Sequence, residues 1–67
     1  MSWKSEIVAE LKEHQAKARK LESEANVLLS MQQRRPEHKE RLKADYILAV
    51  RAADSEWKRV GILESML

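Results

Sequence analysis

The 67-residue chain has no cysteine, no phenylalanine, one glycine and one proline. Without cysteine it can form no disulfide, and it has no Cys/His array with the spacing of a structural zinc site, so the usual cross-links of very small folds are excluded. A chain of this length typically buries only about 60% of the surface that its unfolded form exposes. We therefore expect self-association to supply the missing stability. The lack of cysteine also fits a reducing cytoplasm, which is the location we expect.

Long apolar runs are absent as well. No stretch approaches the roughly 20 consecutive apolar residues that span a bilayer, and the amino terminus lacks the basic and apolar segments of a signal peptide. Thirteen basic and eleven acidic side chains leave a formal net charge of +2, which is too small to indicate a nucleic-acid partner by itself. We expect a small soluble protein with no membrane partner, of a size that fits a bacterial or bacteriophage protein.

Patterns that would indicate catalysis are also absent. There is no glycine-rich phosphate loop, no cysteine nucleophile, no Ser/His/acid constellation and no convincing set of metal ligands. A hairpin of two helices offers no deep pocket for a substrate. We expect a protein that is not an enzyme, with no cofactor and no catalytic or metal-binding residues.

What the chain has is a strongly helical composition, rich in Ala, Leu, Glu, Lys, Arg and Gln. In the first half, residues at alternating steps of four and three fall on one helical stripe, at positions like a and d of a coiled coil. These residues are Ile7, Leu11, His14, Ala18, Leu21, Ala25, Leu28 and Gln32. The stripe predicts a first helix over about residues 2–33, capped by Ser2 or Ser5.

Pro36 marks the corner of the chain. It cannot donate a backbone hydrogen bond and it disfavours helical dihedrals at Arg35, while its own φ suits the first turn of a new helix. We therefore predict a corner at residues 34–36 and a second helix from about residue 36. The alternative, a single kinked helix, would leave both apolar stripes uncovered.

A second stripe follows the corner, again at steps near three and four. Its members are Leu42, Tyr46, Ala49 or Val50, Ala53, Trp57, Val60, Leu63 and Leu67. The second helix is predicted to reach at least Val60. Gly61 either ends it, after Lys58 and Arg59, or is tolerated inside a longer helix.

Folding back at the corner predicts that residues facing each other across the seam have numbers adding to roughly 70. Large side chains then meet small ones, as in Ala25 with Tyr46 and Leu21 with Ala49, which close packing favours. The same rule places His14 beside Glu56 and Trp57. The fold class that we predict is all-α: an antiparallel two-helix hairpin that dimerises into a four-helix bundle.

The expectation of a dimer comes from apolar residues that the seam does not use. Residues 46–50, with the sequence YILAV, are five apolar residues in succession, so part of this segment must face away from the first helix. A patch of this size on so small a protein is typical of an interface. The predicted interface residues are Ile47, Leu48, Val50, Val8, Leu29, Met31, Ile62 and Met66. A larger assembly or a different protein partner is the alternative to a homodimer.

The hairpin length and the alternation of Ala18, Leu21, Ala25 and Leu28 resemble the layered core of the Rop family of plasmid RNA-binding proteins. This resemblance covers about half of the first helix and concerns architecture, and it transfers no functional residue to this chain. It implies a bundle of two hairpins, with nucleic-acid binding as an alternative function.

Candidate nucleic-acid contacts are basic residues in two groups, since phosphate binding needs cationic side chains on an accessible face. The groups comprise Arg34, Arg35, Lys39 and Arg41 at the corner, and Lys17, Arg19 and Lys20 in the first helix. Several basic side chains stand four residues from an acidic one, as in Glu13 and Lys17, which is typical of an ordinary solvated helix surface. Nucleic-acid binding is therefore the minority interpretation.

His14 is the polar exception on the first stripe. Its imidazole changes charge between about pH 5 and 8, so His14 and Glu56 form a candidate pH-sensitive pair. Protonation would strengthen a contact with Glu56, or would loosen the bundle if the ring were buried without a partner. The simpler interpretation is a structural histidine. From these patterns we expect a non-catalytic, self-associating helical hairpin that serves as an interaction, assembly or regulatory module.

Overall fold

The computed structural model describes residues 2–67, and within them the chain folds as an antiparallel helical hairpin. Helix α1 spans Trp3–Arg34 and helix α2 spans Lys39–Ser65. Arg35 and a single 3-10 turn, Pro36–His38, connect them. The hairpin is a rod with dimensions of 54 × 13 × 11 Å. The predicted all-α hairpin is confirmed, because the two helices pack against each other along their length.

Helix α1 begins at a well-formed N-cap. Ser2 has extended backbone dihedrals, and its hydroxyl accepts a hydrogen bond from the Lys4 backbone N–H at 3.0 Å. This bond satisfies one of the amide groups that the first turn of a helix leaves unpaired. Glu6 adds a negative charge near the positive end of the helix dipole. Of the two serines predicted as caps, Ser2 is the one that performs this role.

The corner follows the expected chemistry of proline, with a shift of its boundary. Arg35 leaves the helical region, with φ −130° and ψ 74°, and its N–H donates to the Met31 carbonyl at 2.8 Å. Pro36 then opens the 3-10 turn, and α2 proper begins at Lys39 rather than at Pro36. The predicted start of the second helix was therefore three residues early. The Arg35 side chain makes no capping hydrogen bond, and one 3-10 turn precedes the regular helix.

Half of the residues buried in the seam between the helices are alanines. The buried apolar residues are Ile7, Ala18, Ala25, Leu42, Ala49, Ala53, Val60 and Leu63, and Leu11, Leu21, Leu28 and Tyr46 are half-buried beside them. The small side chains of the four alanines let the helix axes approach closely. The open choice between Ala49 and Val50 is settled in favour of Ala49. Leu67 was wrongly placed on the seam, because it follows the end of α2 and is exposed.

Gly61 lies inside α2, four residues before the helix ends at Ser65. Its φ is not positive, and a Cβ built at this position would meet no atom within 4 Å. Of the two roles considered for Gly61, the structure therefore shows a glycine tolerated inside the helix.

We expect Gly61→Ala to stabilise the protein by about 0.5–1 kcal/mol, because alanine loses less backbone entropy than glycine on entering a helix. Thermal unfolding followed by circular dichroism at a fixed protein concentration measures this gain. An unchanged or lower melting temperature would mean that α2 is not a regular helix beyond Val60.

Candidate interaction surface

The hairpin exposes more large apolar side chains than it buries. The exposed ones are Trp3, Val27, Leu29, Met31, Ile47, Leu48, Val50, Ile62, Met66 and Leu67. Only four large apolar residues are fully buried, since the other four core residues are alanines. Leu11, Leu21, Leu28 and Tyr46 are half-buried along the seam, so the ten exposed side chains form a substantial apolar surface outside it.

Helical geometry divides these exposed residues between two sides of the hairpin. Residues of an α-helix are separated by about 100° around its axis, so Ile47 and Val50 lie about 60° apart and share a side. Measured from the buried residues of α2, Val50 and Ile47 lie at about 80° and 140° to one side of the seam, and Leu48 lies at about 120° to the other. We call the two sides the Val50 face and the Leu48 face. The Val50 face carries Val8, Leu29, Ile47, Val50 and Trp57, and the Leu48 face carries Val27, Met31, Leu48, Ile62 and Met66.

The predicted interface residues thus do not form one surface. The YILAV segment contributes Ile47 and Val50 to one side and Leu48 to the other, and a single flat partner cannot cover all three. Val8 is also half-buried rather than exposed, since it lies close to the seam at the edge of the Val50 face.

On the Val50 face, a hydrogen bond links the two helices beside the seam. The Trp57 indole N–H donates to the Glu22 carboxylate. Val50 and Trp57 line a shallow cavity of about 220 Å³ together with Glu22, Ala25, Ala53 and Asp54. The sequence reasoning missed Glu22, whose only signal is its position next to Leu21 on the flank of the first stripe. The pair holds the half-buried indole against the hairpin edge.

His14 and Glu56 meet across the seam, as the pairing rule predicts. His14 Nδ1 donates to Glu56 Oε2 at 2.5 Å, and both side chains are about three-quarters buried, with exposures of 24% and 25%. Their residue numbers add to 70. Glu56 therefore takes the seam position that the sequence pattern gave to Trp57, and Trp57 stands beside it on the Val50 face. The response of this pair to pH stays a prediction, with His14→Gln as its matched control.

Replacing both members of this pair by leucine tests its role in stability. We expect His14→Leu/Glu56→Leu to stabilise the hairpin by about 1–3 kcal/mol, because well-packed apolar residues often outperform a buried polar pair. Glu56→Leu alone should destabilise it by about 1–3 kcal/mol, since it leaves the imidazole without its partner. Urea unfolding at one protein concentration measures both changes. A single variant as stable as the double variant would show that the pair is not coupled.

The basic residues remain in two separate groups in the structure. Arg34, Arg35, Lys39 and Arg41 are exposed around the corner, whereas the group at residues 17–20 lies about 20 Å away along α1. Lys17 forms an ion pair with Glu13 at 3.4 Å. None of the four corner residues forms an ion pair within residues 2–67. The two groups therefore do not make one continuous basic surface.

Other classes of site find little support in the described part of the chain. Residues 2–67 contain no group of three or more His, Cys, Asp or Glu side chains placed to hold a metal ion. Neither described helix is long and apolar enough to cross a membrane. Comparisons of the chain with protein-family models, with curated proteins and with solved structures find no match. Inferences about its function therefore rest on its own residues.

Proposed function

We propose that the protein is a non-catalytic, self-associating helical hairpin that serves as an interaction, assembly or regulatory module. Two copies would pack their apolar faces together into a four-helix bundle with coiled-coil-like interdigitation of side chains. The lack of cysteine favours the cytoplasm as its location.

The observation that carries this proposal is the excess of exposed over buried apolar surface. Ten large apolar side chains are exposed, whereas four large apolar residues and four alanines are buried in the seam and Leu11, Leu21, Leu28 and Tyr46 are half-buried along it. Each large apolar side chain that becomes fully buried contributes about 1.5–3 kcal/mol, whereas an alanine contributes much less. Association would bury part of the apolar surface that the hairpin leaves in solvent, and would add to the stability of the hairpin.

Sedimentation velocity over a wide range of protein concentrations tests the proposal. We expect a mass of twice the 7.8 kDa chain at micromolar concentration and above. Because apolar burial drives the association, the mass should change little between low and high salt. A monomer of 7.8 kDa that persists to millimolar concentration would overturn the proposal.

Nucleic-acid binding is a second candidate, favoured by the exposed corner arginines that have no ion-pair partner within residues 2–67. Fluorescence anisotropy with labelled single-stranded and duplex RNA and DNA tests it. Binding through the corner should weaken steeply as salt rises, because each phosphate contact releases a counterion. Arg34→Gln/Arg35→Gln should reduce it, and the absence of salt-dependent binding at low ionic strength would exclude it.

A further inference from the structure

We infer that the second copy docks on the Val50 face, with the corners of the two hairpins at opposite ends of the dimer. This inference rests on the proposed self-association and specifies which surface is used and in which orientation. Three independent features support it: the direction of the Val50 face, the spacing of its apolar residues along the rod, and the charge of the corner.

The Val50 face points in the direction that a four-helix bundle requires. In a square bundle each helix has two neighbours, which lie about 90° apart around its axis. Taking the buried residues of α2 as zero, Val50 lies at about 80° and Trp57 at about 60°. Leu48, at about 120° on the other side, and Ile47, at about 140° on the same side as Val50, both point away from the bundle centre. The Val50 face is thus the side on which a second hairpin completes the square.

The spacing along the rod selects the orientation. If the corners lie at opposite ends, α1 packs against α1 of the partner and α2 against α2. Placing Val8 of one copy opposite Leu29 of the other fixes the register, because opposed residues of the two α1 helices then have numbers that add to 37. Since numbers across the seam within one hairpin add to about 70, opposed residues of the two α2 helices must add to about 103, which is twice 70 less 37.

That requirement is met by residues that played no part in setting the register. Tyr46 lies at about 40° on the same side, and its number and that of Trp57 add to 103, so the half-buried tyrosine of each copy faces the tryptophan of the other. Val50 lies next to the twofold axis, close to the same residue of the partner. One register therefore places Val8 against Leu29, Tyr46 against Trp57 and Val50 near its own copy.

The opposite orientation fails this test. With both corners at the same end, α1 of one copy packs against α2 of the other, and facing residues again add to about 70. Leu29 would then face Arg41 and Lys43, and Val50 would face Lys20. This arrangement leaves apolar side chains opposite charged ones, which a stable interface avoids.

The net charge of the corner also favours a dimer with the two corners at opposite ends. The corner carries five basic and two acidic side chains, so its net charge is +3, from Arg34, Arg35, Glu37, Lys39, Glu40, Arg41 and Lys43. Corners at the same end would bring two such groups together, whereas corners at opposite ends are separated by nearly the 54 Å length of the rod, far beyond the screening length of about 8 Å. Lys39 and Glu64 add to 103, so the orientation also places the first residue of α2 opposite an acidic residue of the partner.

A spin label at the corner measures the orientation directly. The chain has no natural cysteine, so Glu37→Cys gives one labelling site on an exposed residue of the 3-10 turn. Double electron–electron resonance should give a distance of about 50 Å between the two labels of a dimer, since the labels lie at opposite ends of a rod whose helices rise about 1.5 Å per residue. A distance under about 25 Å would overturn the inferred orientation and leave self-association intact.

Disulfide trapping tests the face. Val8→Cys and Leu29→Cys should each form little disulfide alone, because equivalent residues lie about 30 Å apart along the dimer. Mixing the two variants under mild oxidation should trap the heterodimer. The matched control is a mixture of Glu6→Cys and Met31→Cys, two exposed residues of α1 whose numbers also add to 37 but which lie on the side of the Leu48 face, and it should stay uncross-linked.

The outcomes separate the inference from the proposal on which it rests. A dimer that is trapped only by the control pair would show that the second copy uses the Leu48 face, and a dimer trapped by Leu29→Cys alone would contradict the orientation. A protein that sediments as a monomer at every concentration would overturn the inference together with the proposed function.

Discussion

Ile47→Glu/Val50→Glu should convert the protein from a dimer to a monomer. The two side chains are 40% and 42% exposed in the single hairpin, so the hairpin itself tolerates charge at both positions. In the proposed dimer, however, the carboxylate at position 50 would be buried against the partner, with the acidic Asp54 one turn away on its own helix. An uncompensated buried charge costs about 3–5 kcal/mol, which corresponds to a dissociation constant weakened by at least about 100-fold. Sedimentation equilibrium measures the change in mass, and circular dichroism shows how much helix remains.

The matched control places the same two charges on the other side of the rod. In Leu48→Glu/Ile62→Glu both substituted residues belong to the Leu48 face, and they are 65% and 53% exposed. We expect this variant to stay dimeric, with a dissociation constant within about threefold of the parent, because surface substitutions rarely exceed about 0.5 kcal/mol. If the control dissociated while the Ile47/Val50 variant stayed dimeric, the interface would lie on the Leu48 face and not on the Val50 face.

Leu63→Ala should produce the largest loss of stability within the hairpin. Leu63 is only 2% exposed and is the most deeply buried of the four large apolar residues buried in the seam. Truncating a buried leucine costs about 2–5 kcal/mol, through lost apolar burial and the cavity that remains. A loss of this size is a large fraction of the total stability of a small domain, about 5–15 kcal/mol at most. Urea unfolding at fixed protein concentration measures it, because association shifts the apparent stability.

Leu67→Ala is the control for this substitution. It removes the same atoms from a leucine that is 52% exposed and lies beyond the end of α2. We expect a change of less than about 0.5 kcal/mol. Equal losses in the two variants would mean that the C-terminal end of the hairpin is not packed as described.

The helical stripes and the corner could be predicted from the sequence because both depend on local rules. Apolar periodicity identifies the buried side of each helix, and proline restricts the residue before it. The hairpin then follows from the need to cover two stripes. The contact between His14 and Glu56, separated by 42 positions in the chain, follows from the same construction, since an antiparallel pair of helices has one register to fix.

Other features depend on details that periodicity does not contain. Ala49 and Val50 both fit a stripe with steps of three and four, and the choice between them depends on the rotation of α2 about its axis. The hydrogen bond between Trp57 and Glu22 requires two long side chains to reach toward each other along the rod. The division of the exposed residues between two faces depends on the same rotation of α2.

The His14 and Glu56 pair also selects one sliding position of the helices. Because the seam is rich in alanine, a shift of one helix along the other by one heptad would still match small residues with large ones. Such a shift would move Glu56 from His14 to Ile7 or Leu21, and would leave two polar groups without partners at about 1–3 kcal/mol each. The fraction of slipped hairpins should then fall to a few per cent or less. The His14→Leu/Glu56→Leu variant, although more stable, would lack this polar contact and would therefore allow a mixture of alignments.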